Sequence, residues 1–412
     1  MRATPGWYRD AKFGIIIHWG LYSIPAWAPL DDEVVRILEA ELEGPDGDAA
    51  SDPLARHSYA EWYQNSALLD GPTRQHHEAT YGGQDYGDFR GAFAEAVRGW
   101  SAEPWADLFA ASGARYVIPV TKHHDGFTLW PSATPNPNRA GWSVERDVIG
   151  ELATAVRGRG LHLGLYYSGG PDWTFDHLPI RRLADIPHSI PDSPEFARYV
   201  DAHWRELIER YRPAILWNDI KYPPAAEPDR LIEDYYAAVP DGVVNDRFGT
   251  ARPDVRTPEY ARRADIDTEV WETVRAVGIS FGWNRQETEL ISVPDLVLLL
   301  ADVISKNGNL LLGVTPDDRG QIPRAQQELL YGIGRWLEVH GEAVYGTRPW
   351  TRAEGTTADG RPVRFTSRGN VVYGIVAGGA AAGTAPGLDL PPGAKVRPIG
   401  TDAFAVEGAG AS

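Results

Sequence analysis

The sequence predicts an α/β protein, with a closed (β/α)8-like TIM barrel over residues 1–345 and a small C-terminal β module over residues 346–412. Three observations predict it. Helical stretches alternate with short apolar runs of the kind that form buried parallel strands. Glycines stand where the helices should stop. Most apolar runs break off into polar residues, as strands do where they open onto a barrel's functional face. A chain of 412 residues suits a barrel with one appendage. No glycine-rich phosphate loop opens any helix, which counts against an open nucleotide-binding sheet.

Residues 7–12 are an amphipathic lead-in to the apolar run 13–17, which ends at His18. Residues 31–52 hold nine acids against one arginine and are broken by Gly44, Pro45 and Gly47, so a solvated lid or surface excursion is expected. The stretch SYAEWYQN, from Ser58, sets Glu61 and Trp62 among aromatics and matches no regular element. His76 and His77, in a polar stretch, read as surface residues. The repeating unit then begins: helix 103–112, stop at Gly113, strand 114–120, and a tip of Thr121, Lys122, His123, His124 and Asp125. It recurs as helix 147–159, Gly160, strand 161–167 and the tip Ser168-Gly169-Gly170. A longer helix, 193–211, can be capped by Ser193 with Pro194 in its first turn. Pro213 then leads into the apolar run 214–217, which stops abruptly at Asn218 and Asp219. Helix 229–238 precedes Val243 and Val244, whose tip is Asn245, Asp246 and Arg247. Helix 293–305, a stop at Gly308, strand 309–314 and helix 324–339 complete the set. After Trp350 the pattern changes to short alternating runs, 363–366 and 371–376. About 65 residues are few for a complete sandwich, so the module is expected to lean on the barrel.

Composition narrows the function classes. A formal charge of −17 argues against nucleic acid and anionic membrane as partners, both of which call for a basic face. A neutral or cationic small ligand fits better. Fifteen Trp and eighteen Tyr supply flat apolar faces for core packing and for stacking on sugar rings. The absence of cysteine excludes disulfides, thiolate catalysis and Cys-based zinc sites. No signal peptide is seen at the N-terminus and no apolar run approaches membrane-spanning length, so a cytoplasmic protein is expected. A homo-oligomer is left open.

The predicted strand tips collect His18, His123, His124, Tyr166, Asp219, and Asp246 with Arg247. Asp219 alone could be a turn acid, since Asn and Asp favour strand-to-loop junctions. Together the tips match glycoside hydrolysis, in which two carboxyl groups flank the scissile bond while His, Arg and aromatics hold the ring. A metal-dependent hydrolase using His123 and His124 is the rival. Adjacent residues of an extended chain point to opposite sides, and no HxH or HExxH spacing is present, so neither metal nor other cofactor is expected. A non-catalytic sugar-binding barrel is the second alternative, although it would need no paired carboxylates. For the acid, Glu259, Glu269 and Glu272 all follow the tip at Arg247, and spacing does not choose among them. Glu272, after Val270 and Trp271, could end a strand.

The segments FGIIIHWGLYSIPAW, AEWY, KHHDGFTLW, GLYYSGGPDW, AILWNDI and VVNDRFG occur in this order. Together they resemble the retaining alpha-L-fucosidases of glycoside hydrolase family 29, with GNLLLGVTPDDRGQIP and GEAVYGTRPW supporting the likeness. The resemblance implies an alpha-L-fucoside substrate, Asp219 as nucleophile and, through TPEY, Glu259 as acid/base. It places sugar-binding residues at His18, Glu61, Trp62, His123, His124, Tyr166 and Arg247, and through ISFGWN at Phe281. The acidic insertion and the short C-terminal module depart from the family pattern.

Overall fold

The computed structural model describes residues 3–30, 52–175, 179–251, 253–357, 359–376 and 395–407. Seven parallel strands form one sheet: β1 (Phe13–Ile17), β2 (Tyr116–Lys122), β3 (His162–Ser168), β4 (Ile215–Asp219), β5 (Val243–Val244), β6 (Trp271–Ala276) and β7 (Gly308–Val314). Their order is β5-β4-β3-β2-β1-β7-β6. Period-2 alternation divides each strand between two cores. Ile15, Ile17, Val117, Leu165, Leu216 and Leu312 pack outward with the helices. Ile16, Ile118, Tyr166, Trp217 and Leu311 fill the interior. A one-residue slip would exchange these sets, so the register is strongly specified. Gly14 serves the inner packing: a Cβ there would meet the Tyr116 ring at 2.2 Å.

The ring has no regular eighth strand among the described residues. Residues 255–259 take that place through isolated parallel bridges, Asn245 with Val255 on one side, and Arg256 with Trp271 and Glu259 with Val274 on the other. Pro258 lacks the N–H that a ladder needs, so this segment cannot pair regularly. Its irregularity sets Glu259 at the barrel rim.

The expected helices form with small shifts at their ends, as Ala102–Ala111, Val148–Gly158, Pro194–Tyr211, Pro228–Ala238, Val293–Ser305 and Arg324–His340. Ser193 caps Pro194–Tyr211 by accepting from the Phe196 N–H at 3.1 Å. Gly308, expected as a helix stop, instead begins β7, and the left-handed residue is Asn307 at φ 73°. His76 and His77, read as surface residues, are half-buried on the helix Pro72–Tyr81, with His76 stacked on Trp27 and His77 bonded to the Tyr63 hydroxyl at 2.9 Å. Residues 31–51, most of the acidic insertion, lie outside the described residues. No helix among the described residues is long and apolar enough to cross a membrane.

A second, antiparallel sheet contains β8 (Arg348–Thr356), β9 (Pro362–Arg368), β10 (Val371–Val376), β11 (Lys395–Ile399) and β12 (Ala403–Glu407). The order is β11-β12-β10-β9-β8. Alternation again separates two faces. Tyr373, Ile375, Ala403 and Ala405 join the barrel's outer core, whereas Val372, Phe404 and Val406 form a small cluster with Val363 and Phe365. Arg364 reaches Asp302 on the helix Val293–Ser305 at 2.6 Å, and Trp336 donates to Asp402 at 2.9 Å.

Candidate active site

The strand tips open into a cleft of about 370 Å³. Of the ten residues singled out in the sequence, all but Arg247 line it, and Arg247 reaches it by bonding two residues that do. A wider cleft of about 920 Å³ lies near Tyr63 and Arg139 and has one carboxylate, Asp85, already capping the turn Tyr86–Phe89. Paired carboxylates distinguish the narrower cleft.

Asp219 lies two residues after Trp217 on β4, so its side chain shares Trp217's inward direction. It is 8% exposed. Its Oδ2 accepts from the Tyr166 hydroxyl at 2.5 Å, and its Oδ1 accepts from Arg247 Nη1 at 2.5 Å and from the Ile220 N–H at 2.8 Å. The Ile220 contact is made with that residue in the left-handed region, at φ 61°. Burial pushes the carboxyl up, but the charge of Arg247 with the donors Tyr166 and the Ile220 N–H outweighs it, so Asp219 titrates below its ordinary value.

Arg247 joins the two candidate catalytic groups. Its Nη2 donates to Glu259 Oε1 at 2.9 Å and to the Thr257 carbonyl at 2.8 Å. The Glu259 side chain is 40% exposed, so one carboxyl group sits deep in the cleft and the other at its mouth.

The imidazoles are neutral. His18 is pushed down to about 3 and His124 to about 4, mainly by burial, and burial pushes His123 well down as well. The Ser168 hydroxyl gives its one hydrogen to the Pro171 carbonyl, so its 2.6 Å contact with His124 requires Nδ1 of that ring to donate. His124 Nε2, 3.8 Å from Asp219 Oδ2, is then left as an acceptor. The sequence expectation that His123 and His124 point apart fails because β2 ends at Lys122. The chain turns there, and the two rings lie 4.1 Å apart on the cleft wall. Among the described residues, no group of three or more His, Cys, Asp or Glu side chains is arranged to hold a metal ion.

Glu61, in the turn Ala60–Trp62, is 2% exposed and accepts from the Gly282 N–H at 2.6 Å. Burial raises it to about 8 against these hydrogen bonds. A Cβ at Gly282 would come within 2.8 Å of the Glu61 nitrogen, so glycine is what permits this contact. Phe281, 5.2 Å from the His18 ring, and Trp62, 5.2 Å from the His124 ring, supply the apolar walls.

The family model described as alpha-L-fucosidase matches residues 1–342. The chain belongs to the alpha-L-fucosidase family. The Dictyostelium discoideum alpha-L-fucosidase is 32% identical over 90% of this chain and 77% of its own. The Thermotoga maritima alpha-fucosidase structure is 38% identical with a TM-score of 0.83, covering 98% of this chain and 93% of that one. That protein has also been solved in complex with fucose, at 38% identity and a TM-score of 0.82 over the same shares of both chains. Like these relatives, this member of the alpha-L-fucosidase family is a glycoside hydrolase.

Two rival glutamates of this alpha-L-fucosidase family member fall elsewhere. Glu269 is bound to Arg256 at 2.7 Å on the surface. Glu272 does not end a strand but is the second residue of β6, at the opposite end of the barrel from the cleft. It bonds Tyr8, Tyr116 and Trp217. Sequence reasoning missed Tyr59 and Trp217 as cleft walls, together with the backbone donors of Ile220 and Gly282. A backbone N–H carries no side-chain signal. Trp217 did carry one, as the large residue two before the tip acid.

Proposed function

We propose that this protein hydrolyses alpha-L-fucosides with retention, by double displacement through a fucosyl-enzyme on Asp219. The observation that carries the reading is the pair Asp219 and Glu259, one buried and held ionised, the other at the cleft mouth, both bonded to the guanidinium of Arg247. One guanidinium reaching both keeps them close, which favours the spacing of about 5 to 5.5 Å used by retaining enzymes over the wider gap that admits a water. A carboxylate of lowered pKa is the form a nucleophile needs, since it is deprotonated across the neutral range.

In the first step Asp219 attacks the anomeric carbon, the bond to the leaving oxygen breaks, and Glu259 gives that oxygen a proton. In the second, Glu259 takes a proton from water, which attacks the same carbon and releases Asp219. His18 and His123, being neutral, can each donate or accept toward ring hydroxyls, His124 can accept through Nε2, and Glu61 can donate and accept in its protonated form. L-Fucose carries a methyl group where other hexoses carry a hydroxymethyl, and Phe281 and Trp62 offer it apolar surface. The Thermotoga relative's complex with fucose supports this substrate class.

The purified protein is expected to release L-fucose from an aryl alpha-L-fucoside without added metal and without loss in EDTA. Inactivation by the chelator, reversed by zinc, would overturn the reading in favour of metal chemistry. Glu259→Ala is expected to keep forming the fucosyl-enzyme from an activated aryl fucoside, to fail on poor leaving groups by about 10²–10⁴-fold, and to be accelerated by azide. If Glu272→Ala shows this behaviour instead, the acid/base assignment is wrong.

A further inference from the structure

Below the cleft lies a buried carboxyl that the reaction above does not use. Glu272 is 1% exposed and forms no ion pair among the described residues. Its Oε2 accepts from the Tyr8 hydroxyl at 2.7 Å and the Tyr116 hydroxyl at 2.5 Å, and its Oε1 accepts from Trp217 Nε1 at 3.1 Å. A carboxyl buried among neutral donors is costly to keep, and an apolar side chain could fill the same space.

Its influence runs through Trp217. That indole is stacked on Tyr166 at 5.4 Å between centroids and 20° between planes, and the Arg247 guanidinium stands 4.5 Å over it. Tyr166 and Arg247 are the two side chains that donate to Asp219, one to each oxygen. A single indole therefore braces both donors, and its own rotation is fixed at the Nε1 end by Glu272. Without that bond the ring keeps its packing but loses the polar contact that defines its orientation.

We propose that Glu272 is a positioning residue: by anchoring the Trp217 indole it sets Tyr166 and Arg247, and through them the orientation of Asp219. The inference rests on the reading of Asp219 as nucleophile. Glu272 touches neither the cleft nor the reacting atoms, so its role is separate from the acid/base role of Glu259.

Trp217→Phe keeps a smaller aromatic ring under Tyr166 and Arg247 and removes the N–H that Glu272 holds, and because Trp217 also walls the cleft its result is read together with the Glu272 variants. With an aryl alpha-L-fucoside it is expected to lower kcat about tenfold with KM held within about twofold, and to move the acid limb of the kcat/KM profile upward. Glu272→Met, of similar length but unable to accept, should do the same. Glu272→Gln can still accept from the indole and should return kcat to within about twofold of wild type. Wild-type kcat and an unmoved acid limb in Trp217→Phe would overturn the proposal, even if Glu272→Met does not fold. Labelling each folded variant with 2-deoxy-2-fluoro-alpha-L-fucosyl fluoride, followed by peptide mass analysis, separates the two readings. A label on a carboxylate other than Asp219 overturns the nucleophile reading and this inference with it. A label on Asp219 with unchanged kinetics overturns this inference alone.

Discussion

Asp219, as the proposed nucleophile, combines two conditions that conflict in isolation, since burial favours the neutral acid while a nucleophile must be ionised. Three local contacts, from Arg247, Tyr166 and the Ile220 N–H, resolve the conflict in favour of the carboxylate. Asp219→Ala is accordingly expected to fold, judged by an unchanged circular dichroism spectrum, while losing on the order of 10³-fold or more in kcat. Retention of a sizeable fraction of wild-type turnover would show that the covalent role lies elsewhere. At this scale the sequence was informative wherever a residue follows an apolar run, because a strand tip fixes both position and direction. His18, Tyr166 and Asp219 were legible for that reason. The contacts that tune them were not, because they come from backbone groups at Ile220 and Gly282 and from turns whose conformation no local pattern announces.

Among the elements, helices with a capping residue or a left-handed terminus were placed within a few residues, and the buried strands other than β6 were found by their apolar runs; β6 interleaves Glu272, Thr273 and Arg275 with its apolar residues. The eighth position of the barrel was not legible, because residues 255–259 pair by isolated bridges and Pro258 interrupts the segment. β8 was missed as well. Its pairing with β9 shifts register between Pro349 and Glu354, which disturbs the alternation that betrays a strand. The helix Pro194–Tyr211 ends on Arg212, exposed and left-handed at φ 43°, where glycine has no Cβ penalty. The bonds at Arg212 are backbone ones, its N–H to the Ile208 carbonyl and its carbonyl from Arg157, each at 2.9 Å, and glycine retains both. Arg212→Gly is expected to stabilise the protein by about 0.5–1 kcal/mol in urea unfolding, with activity unchanged. Destabilisation would mean that the arginine side chain contributes more than its backbone strain costs.

Over the whole molecule, buried titratable groups make stability depend on pH. His18 and His57 are held down to about 3, and His124 and His203 to about 4, chiefly by burial. Below their unfolded value of about 6.5 the unfolded chain binds protons that the folded chain refuses, so acid favours unfolding by up to about 1.4 kcal/mol per pH unit for each. Glu61 and Asp125, raised by burial to about 8 and about 6, act in the opposite sense once pH exceeds their unfolded values near 4. With His123 pushed down as well, five buried histidines against the raised carboxyls of Glu61, Asp125, Glu272 and Glu287 leave stability rising from about pH 4 to 6.5, and urea midpoints across that window should rise with pH. A flat or falling series would mean that the histidines are not buried as neutral rings. The barrel and the appended sheet were both legible as fold class, since alternation of apolar runs survives small errors in every boundary. The chemistry at the barrel mouth is tested most directly by following hydrolysis of an aryl alpha-L-fucoside by proton NMR before mutarotation sets in. Attack by Asp219 followed by water predicts alpha-L-fucose as the first product, and first appearance of the beta anomer would contradict the double displacement.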